Sequence, residues 1–86
     1  MVILMFYTYV LYSELHNRIY IGQTSNLTLR LAEHNSGRCK STKAYIPWYL
    51  IHFEEFRTRS ESMKREKELK FHQGRNFIRQ QLIDKE

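Results

Sequence analysis

The sequence predicts a small α+β domain, a three-stranded antiparallel sheet flanked by helices in the order ββαβαα. Three observations lead there. Two runs rich in Val, Ile, Leu and Tyr are joined by a short polar segment, a T-x-x-E signature precedes a charged stretch, and the lone proline leads a third apolar run.

Residues 2–12 read as the first strand, and the apolar opening Met1 to Tyr12 as buried; Arg18 to Gly22 reads as the second, after the connection Ser13-Glu14-Leu15-His16-Asn17. A turn centred near Glu14 and Leu15 would set Tyr9 directly opposite Tyr20, with both phenols on one face. Ser25 or Asn26 can cap a helix from Leu27 to Asn35, closed by Gly37, with Leu27 and Leu31 inward and Arg30 stacked on His34. Arg38 to Ala44 is a polar, basic loop, and Pro47 opens a third strand through Trp48 to Phe53. Thr58 and Glu61 cap a second helix running to about Phe71, and Gly74 separates it from a last helix bearing Phe77, Ile78 and Leu82.

With 86 residues the chain is expected to form one domain, 1–86, around one core. Its 42% hydrophobic and 14% aromatic content argues against a disordered basic tail. A net charge of +5 suits a polyanionic partner but is equally compatible with simple solubility. The single cysteine, Cys39, excludes an intrachain disulfide and a Cys-rich zinc site, which fits a reducing compartment, the cytoplasm. The apolar opening is too short to span a bilayer and lacks a basic flank, so no membrane partner is expected.

The second helix holds an inconsistency. Met63, Glu66, Leu69 and Lys70 share a face that should be core, with a carboxylate in its middle. Glu66 is therefore either a half-buried ion-pair partner or a metal ligand.

Tyr7-Thr8-Tyr9, ten residues, Tyr20-Ile21-Gly22, Arg30 eight residues on, and Glu66 within Arg65-Glu66-Lys67-Glu68-Leu69-Lys70 together closely resemble the GIY-YIG nuclease signature. Lys40-Ser41-Thr42-Lys43 followed by Pro47-Trp48 is similar to the small stand-alone branch of that family. Singly, the tyrosines would be strand aromatics, Arg30 a solvated helix charge and His34 a surface or cap residue. Only the joint spacing overturns those readings.

The resemblance implies a catalytic set of Tyr9, Tyr20, Arg30, His34 and Glu66, with Glu66 holding one divalent metal, Mg²⁺ or Mn²⁺. Arg30 would bind the scissile phosphate and His34 would line the site. Tyr7, Ile21 and Gly22 complete the motif, Gly22 by letting the helix loop or the phosphate come close. It further implies hydrolysis of DNA to 5′-phosphate and 3′-hydroxyl ends. The chemistry is consistent, since phosphodiester hydrolysis needs a deprotonated water and a cation on the non-bridging oxygens, while a phenol with a pKa of about 10 needs help to act as base. Which tyrosine is the base stays open.

Lys40, Lys43, Arg57, Arg59, Lys64, Arg65, Lys67 and Lys70 are candidates for DNA-backbone contacts, or a solvated helix face in the case of the last four. Trp48 is expected in the core. Gln23 stands where the family's repair enzyme has a lysine, and Asn76 is an imperfectly spaced counterpart of a terminal family asparagine. Duplex, branched or damaged DNA is the expected partner, in repair or recombination. Low sequence specificity or a specificity-supplying protein partner is expected, with the chain acting as monomer or weak dimer. The alternative is a nucleic-acid-binding module with weak or no catalysis.

Overall fold

The structure, a computed structural model, describes residues 3–84. Strand β1 (Phe6–Ser13) is central, flanked by β2 (Arg18–Thr24) and β3 (Tyr49–Phe56), and both pairings are antiparallel. Helix α1 (Leu27–Asn35) and a short 3₁₀ turn (Lys43–Tyr45) separate β2 from β3; α2 (Arg59–Lys70) and α3 (His72–Phe77) follow, and α3 widens into a π-helical segment, Ile78–Ile83. The predicted class and element order are those observed.

Alternation along β1 explains the layering. Tyr9 and Leu11 point to one face and pack with Trp48, Leu27, Leu31 and Leu50 beneath α1. Val10 points to the other face and packs with Ile21, Leu69 and Ile78 beneath α2 and the C-terminal helix. Val10, Leu69 and Ile78 are essentially fully buried, each contributing about 1.5–3 kcal/mol of transfer free energy. Thr8 Oγ1 donates to the Ser62 carbonyl at 2.7 Å, fastening α2 to the central strand.

Local signals account for the helix ends. The Asn26 side chain accepts from the Leu29 amide, Thr58 and Glu61 form the reciprocal capping box, and Gly37 takes φ 82° just after α1, where a left-handed residue is needed.

Several expectations are corrected. The first strand begins at Phe6, and Ile3 and Leu4 before it are exposed, because among the described residues no strand or helix covers them; Met1 and Val2 lie outside the described residues. The hairpin turn is centred between Leu15 and His16, where Asn17 takes φ 51°, so Tyr9 opposes Gly22 and Tyr20 opposes Leu11. That two-residue slip preserves parity and keeps both phenols on one face. The third strand starts at Tyr49 and runs to Phe56, so Pro47 and Trp48 precede it.

On α2, Met63 and Lys70 are exposed, and the inward residues are Ser62 and Leu69 with Arg65 and Glu66 half-buried beside them. Gly74 lies inside α3 rather than between helices. The break is the extended Phe71, at ψ 166°, and Gly74 is needed because a Cβ there would run into the backbone of Glu68 and Leu69.

Candidate active site

Four of the five candidate catalytic side chains converge on the α1 face of the sheet. Tyr9 on the central strand is 2% exposed, and its hydroxyl lies 3.0 Å from Nε2 of His34, which is fully buried at the end of α1. The Tyr20 ring sits 4.7 Å from the His34 ring and 6.3 Å from that of Tyr9, centroid to centroid. Arg30, one turn before His34, is close enough to Tyr9 and His34 to act on the charge of both, and its Nη1 donates to Glu33 Oε1 at 2.9 Å. Tyr20 and Arg30 are only partly buried and give the cluster its access to solvent.

Gly22 explains how the phenol fits. A Cβ there would stand 2.6 Å from Tyr9 Oη and 3.1 Å from Tyr20 Cε2. The missing side chain thus makes room for Tyr9 itself, rather than for a helix loop. Ile21 points to the opposite, α2 face as core. Tyr7 lies two residues from Tyr9 on β1 and meets Phe53 edge-to-face, supporting the strand rather than touching His34.

Electrostatics sort the groups into roles. Burial pushes the Tyr9 phenol up to about 12, against the pull of the Arg30 guanidinium. Burial likewise holds the His34 imidazole below its usual range, with Arg30 adding to the effect and Glu33 opposing it. The cluster at neutral pH is therefore a protonated phenol beside a neutral imidazole, with one fixed cation. The Glu33 hydrogen bond raises Arg30 further still, so that cation is permanent.

Two residues that sequence reasoning left unassigned build the support. Thr42 is fully buried and its Oγ1 lies 2.9 Å from His34 Nδ1. The Asn35 side chain clamps Trp48, donating to its carbonyl at 2.9 Å and accepting from its amide at 2.6 Å. Trp48, buried as expected, donates from Nε1 to the Thr42 carbonyl at 2.9 Å. Thr42 lay within the quoted Lys40-Ser41-Thr42-Lys43 motif, but a polar loop composition does not announce a buried hydroxyl.

Glu66 stands apart. Its helix packs on the Val10 face, opposite the phenols, against β1 and the edge strand β2. Its side chain is 22% exposed, and Lys70 Nζ pairs with Oε2 at 2.6 Å. Among the described residues no group of three or more His, Cys, Asp or Glu side chains comes together as a metal site. A single accessible carboxylate still suits a hard divalent ion that keeps most of its waters and shares substrate oxygens. Gln23 faces the same side, accepting from Arg59 Nη1 at 3.0 Å. Asn76 is exposed on α3, beside His72 at 3.3 Å.

The candidate backbone-binding cations divide in two. Arg65 is engaged by Glu54 and Glu68, and Lys70 by Glu66. Lys40, Lys43, Arg57, Arg59, Lys64 and Lys67 are exposed and form no ion pair among the described residues. Arg59, Lys64 and Lys67, with Ser60 and Met63, line an open hollow of about 440 Å³ along α2.

A three-stranded sheet thus carries two phenols, an imidazole and a guanidinium on one face, with the helix that bears Glu66 packed on the other, in a small α+β domain. Residues 5–79 match the family model of the GIY-YIG catalytic domain, and the chain belongs to the GIY-YIG family. It is 55% identical over 51 residues to the UPF0213 protein lwe0147 of Listeria welshimeri, covering 58% of this chain and 57% of the relative. This match therefore spans little more than half of the relative's length. It is 41% identical to the UPF0213 protein SH2523 of Staphylococcus haemolyticus, over 78% of this chain and 77% of that one. The solution structure of the UPF0213 protein BH0048 of Bacillus halodurans superposes with a TM-score of 0.52 at 26% identity, covering 86% of this chain and 81% of that one.

Proposed function

We propose that the chain is a divalent-metal-dependent DNA endonuclease that hydrolyses phosphodiesters to 5′-phosphate and 3′-hydroxyl ends. The observation that carries this reading is the buried Tyr9–His34 hydrogen bond of 3.0 Å with Tyr20 and Arg30 beside it. A phenol near 12 is a feeble base by itself. Coupled to a neutral imidazole it can take a proton from water while passing its own to His34. Arg30 supplies fixed positive charge for the phosphate oxygens, and Tyr20, at the solvent side, orients the incoming group.

Glu66 is the residue that would hold Mg²⁺ or Mn²⁺. When bound, that ion would lower the pKa of its water and neutralise developing phosphate charge. Lys70 offsets the Glu66 charge until then, so the two cations compete for one carboxylate.

The unpaired cations Lys40, Lys43, Arg57, Arg59, Lys64 and Lys67 are the natural contacts for flanking backbone, whereas Arg65 and Lys70 first serve carboxylates. Backbone contacts read no sequence, so the substrate is branched, nicked or damaged DNA, or a site chosen by a protein partner, and the setting is repair or recombination.

The deciding experiment is cleavage of labelled branched, nicked and linear DNA in Mg²⁺ or Mn²⁺ by the wild type, Glu66→Gln and Tyr9→Phe. Cutting by the wild type, with both folded variants binding but inert, supports the nuclease. Binding without cutting in either metal replaces it with a nucleic-acid-binding module.

A further inference from the structure

We propose that Thr42 is a positioning residue that fixes the tautomer of His34, keeping the ring proton on Nδ1 and the Nε2 lone pair turned to Tyr9. The role of the tautomer in turnover rests on the nuclease reading; the tautomer itself does not.

Two ends of one hydrogen-bonded chain lead to the same proton arrangement. At the inner end, Thr42 Oγ1 lies between the Cys39 carbonyl at 3.3 Å, an acceptor only that also receives the Thr42 and Lys43 amides, and His34 Nδ1 at 2.9 Å; in our assignment its proton turns to the carbonyl and a lone pair faces Nδ1. Nδ1 must then carry the proton. At the outer end, Tyr9 neighbours the Arg30 guanidinium, which can donate but never accept, so the phenol proton has Nε2 at 3.0 Å as its partner. A neutral imidazole carries one N–H, and both ends place it on Nδ1.

In the opposite tautomer the phenol oxygen would face the Nε2–H and Arg30 donors together, and its own proton would lose Nε2 as acceptor. That tautomer would also turn the Thr42 proton away from Cys39. Both His34 and Thr42 are fully buried, so water does not rescue that arrangement.

Thr42 is itself held. Its carbonyl receives the Trp48 indole at 2.9 Å, its amide donates to the Cys39 carbonyl at 3.0 Å, and Trp48 is clamped by Asn35 one residue beyond His34. The loop between α1 and β3 thus closes back on the helix end it left, with the imidazole inside. In turnover the phenol oxygen takes a proton from the attacking water as its own O–H proton passes to Nε2, so Tyr9 stays a phenol, the new charge rests on the imidazolium, and Nδ1–H stays on Thr42 throughout.

The test pairs spectroscopy with kinetics on the full chain. Long-range ¹H–¹⁵N correlation of the histidine rings above pH 7 should show wild-type His34 as the Nδ1–H tautomer. Thr42→Ser should keep it, and the near-isosteric Thr42→Val should lose it. Against nicked DNA in Mg²⁺, Thr42→Val should lower kcat on the order of 10²-fold with KM little changed, and Thr42→Ser should restore most of it. An Nε2–H tautomer in the wild type overturns the proposal even if no variant folds. So does a Thr42→Val protein that keeps both tautomer and kcat. If the wild type shows the Nδ1–H ring but cuts nothing, the nuclease reading fails and the Thr42 assignment survives as a structural one.

Discussion

Gly22 and Tyr9 compete for one small volume, and that competition is testable. Gly22→Ala would place a methyl 2.6 Å from the Tyr9 hydroxyl and 3.1 Å from the Tyr20 ring, so both phenols must move. We expect a loss of about 1–3 kcal/mol in stability from overpacking, measured by urea denaturation, together with loss of cleavage. The buried imidazole predicts a pH effect with a definite sign. Folding lowers the His34 pKa, so between the folded value and about 6.5 the unfolded chain binds more protons. Its stabilising contribution is complete above that range and fades as pH falls through it. Melting temperature should therefore drop as pH falls below about 6.5, and His34→Gln should flatten that dependence. Lys70→Met removes the ammonium at 2.6 Å from Glu66; the Mg²⁺ concentration for half-maximal cleavage should fall by about two- to five-fold, the range of an exposed ion pair.

At the scale of elements, α2 depends on its ends more than on its faces. Its residues are mostly charged, and only Ser62 and Leu69 are fully buried, so the capping box at Thr58 and Glu61 carries much of its local definition. Thr58→Ala should cost about 1 kcal/mol, seen as a fall in Tm of roughly 4–8 °C for a domain of this size. The hairpin teaches the reverse lesson. Its turn centre lies one residue further along the chain than composition alone puts it, which shifts the pairing by two residues yet leaves both tyrosines on the same side of the sheet. Face parity survives an even slip, whereas the identity of the directly opposed residue does not. Glycine commonly ends helices, so the sequence alone makes Gly74 a punctuation point. Here it allows α3 to cross the end of α2 at a distance that no side chain would permit.

For the whole molecule, the two faces of the sheet hold different parts of the proposed chemistry. Proton-handling groups lie under α1, while the carboxylate and the open cationic hollow lie on α2 behind it. The charge distribution predicts how DNA affinity responds to salt. Lys64→Ala/Lys67→Ala should reduce the slope of log K against log salt by roughly 2, since each phosphate contact contributes about 0.9, without changing the melting temperature. Arg65→Ala should do the opposite, because its guanidinium bridges Glu54 on β3 and Glu68 on α2.

The order of elements, the caps of α1 and α2, the shared face of Tyr9 and Tyr20 and the placement of Arg30 one turn before His34 on one side of α1 are legible in the sequence. Each depends on contacts or periodicities spanning a few residues, which composition and spacing encode directly. The burial of His34, the hydroxyl of Thr42 behind it, the Asn35 clamp on Trp48 and the true partner of Gly22 were not legible. Each is set by how a loop, a helix end and a strand close on one another, and a polar residue in a loop carries no mark of whether solvent or an imidazole will lie beside it. The tertiary structure likewise decided which cations are free, because an ion pair between β3 and α2 depends on distance in space and not along the chain.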